Sequence, residues 1–96
     1  MKKFMLLHFG FEKPNPEIMQ AWGAWFASIK DRTIENGGFH GAAMEISKDG
    51  KKDLPMDVEC ITGYSLIHAE SAEEAQQIAE KNPFVKSIRV YEVTNH

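Results

Sequence analysis

An α+β domain of the ferredoxin-like kind, a βαββαβ antiparallel sheet with two helices on one face, is predicted by three observations. Two helix-forming stretches with clear caps are each bracketed by short apolar runs, in the order strand, helix, strand, strand, helix, strand. The chain is 96 residues long, enough for one domain spanning 1–96 and no more. The first apolar run is hydrophobic on both of its faces, so it needs cover on both.

Lys3 to Phe9 is that first strand. Phe4, Leu6 and His8 fall on one face, Met5, Leu7 and Phe9 on the other. Asn15-Pro16-Glu17 opens the first helix with an Asx cap, a proline at the first helical position and an acid in the first turn. Ile18, Trp22, Trp25, Phe26, Ile29 and Thr33 continue it as an apolar stripe at helical spacing. Asn36-Gly37-Gly38 is read as its stop, because glycine accepts the left-handed conformation that closes a helix.

Phe39 to Ser47 is the expected second strand, weakened by Gly41, Ala42 and Ala43. Lys48-Asp49-Gly50-Lys51 is a hairpin turn, and Pro55 disfavours a central strand just beyond it. Glu59 to Ala69 is the third strand. Ser71-Ala72-Glu73-Glu74 has the form of a capping box and starts a second helix, which Asn82-Pro83 stops. Ser87 to Val93 alternates as a last strand.

Right-handed crossovers place both helices on one sheet face. The first and third strands are then read as parallel central neighbours, with the second and fourth at the edges. The uncovered face carries several large apolar residues, and a homodimer joined sheet to sheet is the expected cover.

Composition excludes several functions. Eleven Lys+Arg against fourteen Asp+Glu give a net charge of −3, without the basic footprint a nucleic-acid partner requires. A single cysteine, Cys60, excludes an intrachain disulfide, and the sequence around it reads as an ordinary buried thiol. No stretch approaches the length of a membrane span. The start imitates a signal peptide, but its apolar run ends at His8 and Glu12 and Lys13 follow. A cytoplasmic location is the expectation.

Gly63-Tyr64-Ser65-Leu66-Ile67-His68-Ala69-Glu70-Ser71, running into an Ala- and Glu-rich helix and then Asn82-Pro83-Phe84, resembles the YCII-related family, in particular its DGPF-domain group. The Lys-Phe-Met-Leu-Leu start, Met19-Gln20-Ala21-Trp22, Gly37-Gly38-Phe39 and the closing Ile88-Arg89-Val90-Tyr91-Glu92-Val93 extend the likeness over nearly the whole chain. The resemblance implies a dimeric α/β barrel. Asp53-Leu54-Pro55-Met56 keeps only the aspartate and proline of the DGPF signature. Enzyme-like members use a first-helix histidine with an aspartate nearby. Here that helix carries Trp22 and Trp25 and no histidine, so the pair is not carried over.

The residues themselves offer a second route to a site. In the expected topology His8, His40 and His68 collect at one end of the sheet, where open sheets place ligands. One of them is a candidate general base, with Glu45 or Glu70 as an orienting carboxylate. No His-x-His pair occurs, so a zinc site is the weaker reading and no metal or cofactor is assigned. The plain alternative is strand-end histidines that bond to backbone.

Trp22, Trp25 and Phe26 are candidates to line a pocket for a flat ligand, against the alternative that they are core. Tyr64 and Tyr91 could present hydroxyls to that pocket or to the dimer seam. Gly37-Gly38 follows a helix and is no phosphate loop. Lys48, Lys51 and Lys52 read as a solvated tip.

Three functional readings follow. The first is a YCII-like protein binding a small organic ligand between sheet and first helix, with cofactor-free acid–base chemistry at a histidine. The alternative is a non-catalytic dimeric accessory or interaction module. A third, a cofactor-independent monooxygenase, rests on fold analogy alone.

Overall fold

The computed structural model describes residues 1–39 and 43–94. Its elements are β1 (Lys2–Phe9), α1 (Pro16–Ser28), a 3-10 turn (Lys30–Arg32), β2 (Thr33–Gly38), β3 (Ala43–Ser47), β4 (Gly50–Leu54), β5 (Ile61–Ala69), α2 (Ala72–Glu80) and β6 (Ser87–Val93). β2, β5, β1 and β6 form one sheet in that order, and β3 pairs with β4 as a separate ribbon. The α+β, ferredoxin-like architecture is therefore present, with a hairpin inserted between its second and third sheet strands.

Each helix begins where its capping residue dictates. Asn15 accepts a hydrogen bond from the Ile18 amide at 2.9 Å, and Pro16 takes the first helical position. Ser71 accepts from the Glu74 amide at 3.2 Å. The Glu74 carboxylate reaches past Ser71 to the Glu70 amide at 3.1 Å, so the box closes one residue earlier than its pattern suggests. The same carboxylate accepts from Arg32 at 2.6 Å, tying the 3-10 turn to the start of α2.

Both helices lie on one face of the sheet. Phe4 and Leu6 of β1, Ile67 and Ala69 of β5, Trp25, Ile29 and Ala75 make one buried cluster there. Trp25 is fixed by more than area. Its indole N–H donates to the Ile78 carbonyl at 3.1 Å, binding α1 to α2. Gly10 ends β1 with φ of 101°, and a Cβ there would meet the Lys86 backbone at 3.0 Å, so the exit from β1 requires glycine.

Three expectations are corrected. The first helix stops at Ser28, not at Gly37-Gly38, because the chain tightens into the 3-10 turn and then extends. Thr33 fits the helical stripe, yet it begins β2, its hydroxyl donating to the Ile29 carbonyl at 2.8 Å. Phe39–Ser47 is accordingly not the second sheet strand. Thr33–Gly38 occupies that place and Ala43–Ser47 belongs to the inserted ribbon.

The third correction concerns direction. β1 and β5 are antiparallel, with Lys3 opposite His68 and His8 opposite Gly63. One helical crossover makes the first and second sheet strands run the same way, and the reversal that follows turns the third against both. β5 thus runs antiparallel to β1 and to β2.

Candidate functional site

The register places four residues in one row across the helix-covered face: Gly38 of β2, Gly63 of β5, His8 of β1 and Ile88 of β6. Gly38 and Gly63 project no side chain toward α1. The space above them is left unfilled, and a cleft of about 430 Å³ results, lined by His8, Trp22, Phe26, Asn36, Gly37, Gly38, Thr62 and Gly63. Two of these glycines are needed for packing elsewhere. A Cβ at Gly63 would stand 2.6 Å from the Gly37 carbonyl oxygen, and one at Gly37 would fall inside the Tyr64 ring. At Gly38 a Cβ would meet nothing within 4 Å.

His8 is the titratable side chain of the cleft. It is 4% exposed, and its Nε2 lies 3.2 Å from the Ser65 hydroxyl. Its Nδ1 is buried with no hydrogen-bond partner. Trp22 and Trp25 close over the imidazole edge-on, at centroid separations of 5.0 and 5.7 Å. Burial without a compensating charge lowers the His8 pKa to about 4, so the ring is neutral at physiological pH. A neutral imidazole with one nitrogen unpaired can accept from or donate to a bound hydroxyl or carbonyl. Trp22 and Phe26, 5.7 Å apart by their centroids, are only half-buried and give the cleft an aromatic wall.

The remaining candidates are dispersed, as the antiparallel register requires. His68 lies at the far end of β5 and on the opposite face, beside Lys3, so it does not join His8. His40 lies outside the described residues. The expected meeting of three histidines at one sheet end is thus overturned for His8 and His68. Among the described residues no cluster of three His, Cys, Asp or Glu side chains suits a metal ion. Glu45 is exposed on the β3–β4 ribbon opposite Lys52. Glu70 is exposed next to α2, and neither carboxylate lines the cleft.

Trp25 belongs to the core between the helices and not to the cleft lining. Tyr64 sits on the open face, where its ring crosses Gly37, stacks on Phe39 at 5.6 Å and donates its hydroxyl to the Glu35 carboxylate. That hydrogen bond, together with desolvation and the carboxylate's charge, raises the Tyr64 pKa. Tyr91 is 49% exposed on the same open face, opposite Met5. Cys60, expected buried, is half-exposed in the loop before β5, its Sγ 4.0 Å from Met56 Sδ.

The residues that sequence reasoning missed are three glycines, Gly37, Gly38 and Gly63, and the small polar Asn36 and Thr62. The available signal was the pair of glycine sites, Gly37-Gly38 and Gly63, which face each other once Thr33–Gly38 is placed beside β5.

No protein-family model matches the chain, and no curated protein matches it in sequence. Among solved structures it is similar to 5-chloro-2-hydroxyhydroquinone dehydrochlorinase (TftG) from Burkholderia phenoliruptrix AC1100, in complex with 2,5-dihydroxybenzoquinone. The TM-score is 0.63 at 14% identity, over 98% of this chain and 95% of that one. At that identity the likeness establishes a shared α+β fold. Among the described residues no helix is long and apolar enough to cross a membrane.

Proposed function

We propose that this chain is a YCII-related protein that binds a small, flat organic ligand in the cleft between α1 and the sheet, with His8 as its polar contact. The observation that carries this reading is His8, its Nδ1 buried without a partner, in the lining of a cleft walled by Trp22 and Phe26. An orphaned polar atom below an aromatic wall matches the usual composition of small-molecule sites, mostly apolar with few oriented polar groups. The structural neighbour is an enzyme in complex with a dihydroxylated quinone ring, which makes that ring the first ligand to test. Any chemistry on it would be proton transfer at His8.

Titration with 2,5-dihydroxybenzoquinone by calorimetry tests the reading. Wild type should bind, and His8→Ala and Trp22→Ala should each weaken binding about tenfold or more, as removal of a buried contact does. Gly38→Leu should block binding while the fold persists, because the side chain would enter the cleft. Binding undiminished in all three variants would overturn the site.

The alternative, a non-catalytic dimeric accessory module, is favoured by one observation. Among the described residues, no carboxylate lines the cleft to orient His8 as a base. Absence of binding by hydroxylated quinones and simple phenols alike would select it.

A further inference from the structure

A second cleft of about 430 Å³ opens beside the His8 cleft, between α1 and the loop that leaves β1. The two share Trp22, Phe26 and Thr62, so they are neighbouring parts of one groove. Ile18, Trp22 and Phe26 line it at four-residue spacing, and Met19 and Gly23 run as a second row beside them. Phe11 and Val85 are also in the lining, and backbone bonds hold both in place. The Phe11 amide donates to the Asp57 carbonyl at 2.9 Å, and the Lys86 amide, next to Val85, donates to the Phe9 carbonyl at 3.2 Å. Phe11, Met19 and Val85 are exposed, and large apolar side chains gathered round one groove are a mark of ligand binding.

Gly23 is the residue that the fold leaves unexplained. Among the described residues only Gly10 and Gly50 have positive φ, so the backbone of α1 does not require glycine here. A Cβ at this position would meet nothing within 4 Å, so no neighbour excludes a side chain either. Glycine inside a helix lowers its stability relative to alanine. Nothing within the chain offsets that loss, and the space kept free belongs to the second cleft.

We propose that the ligand of the His8 cleft carries an apolar substituent, and that this second cleft, with Gly23 kept bare, is the subsite that holds it. The inference rests on the reading of the His8 cleft as the site of the ring. A ring in contact with His8 sends its substituent past Thr62 and Trp22, residues that line both clefts. Among the described lining residues of the subsite Glu12 is the one charged side chain, and it is exposed. The subsite therefore suits hydrocarbon and offers no cation to a carboxylate.

Calorimetric titration with 2,5-dihydroxybenzoquinone and with its monohexyl derivative tests it. Wild type should bind the hexyl compound about tenfold tighter or more, the gain from burying several methylene groups. Gly23→Leu, whose side chain would occupy the subsite, should cancel that gain and leave the affinity for the bare ring unchanged. Gly23→Ala, with a single methyl, should cancel part of it. Unchanged ring binding also shows that both variants are folded. Equal affinity of wild type for the two compounds would overturn the subsite and leave the ring site standing. A gain that survives intact in Gly23→Leu would overturn it too, because the hexyl chain then lies elsewhere. Binding of neither compound would overturn the ring site and the subsite together.

Discussion

The imidazole of His8 and the hydroxyl of Ser65 lie 3.2 Å apart on neighbouring strands, both side chains buried. This bond satisfies one ring nitrogen and leaves the other facing a place where nothing on the protein answers it.

Stability should therefore fall as pH drops, before the carboxylates titrate fully. The folded chain holds the His8 pKa near 4, against 6.5 for the exposed group. Between those values the unfolded chain binds more protons, so stability is complete above about pH 6.5 and the His8 share is lost by about pH 4. At about 1.36 kcal/mol per pKa unit, that share reaches up to about 3 kcal/mol. Urea denaturation at pH 7.5 and 4.5 measures it. His8→Gln should flatten the profile across this window, and an unchanged slope would assign the loss to other groups.

Gly37 and Tyr64 should be energetically coupled. The tyrosine ring occupies the volume where a Cβ on Gly37 would stand, so Gly37→Ala should destabilise by about 1–3 kcal/mol. In a Tyr64→Ala background the ring is gone and the same change should be nearly neutral, a coupling readable from a double-mutant cycle. Gly23, on α1 with nothing within 4 Å of a Cβ, supplies the control. There alanine should stabilise by about 0.5–1 kcal/mol through helix propensity.

Trp25 should matter for stability and little for the cleft. Trp25→Phe removes the indole donor to the Ile78 carbonyl, which keeps the Lys81 amide at 3.3 Å, so the loss should be about 1 kcal/mol. Trp25→Ala opens a cavity in the core at about 3–5 kcal/mol. Chemical denaturation of both variants checks the sizes. The tryptophan fluorescence that survives in Trp25→Phe should be that of Trp22, beside the cleft.

Where local chemistry decides structure, the sequence was legible. Asn15-Pro16 and Ser71 start the helices where the caps predict, and the expected hairpin turns at Lys48-Asp49, with Gly50 opening β4 opposite Ser47. The end of α1 was not legible, because Ile29 and Thr33 keep helical spacing through a one-turn contact after the helix has stopped. Gly37-Gly38 resembles a helix stop, but its reason is tertiary: a tyrosine from β5 lies across it. Strand direction was the costlier error. Reading the first and third strands as parallel gathered histidines that an antiparallel ladder sends to opposite ends. What remained of the site was His8 with Trp22 and Phe26, the members fixed by strand alternation and helical spacing.

All ten residues of the β3–β4 ribbon are exposed, and its strands pair with each other instead of joining the main sheet. Its tip at Lys48-Asp49 is consequently a natural splice point. An epitope or fluorescent reporter inserted there would be carried by a handle that the domain can lengthen without renegotiating its interior.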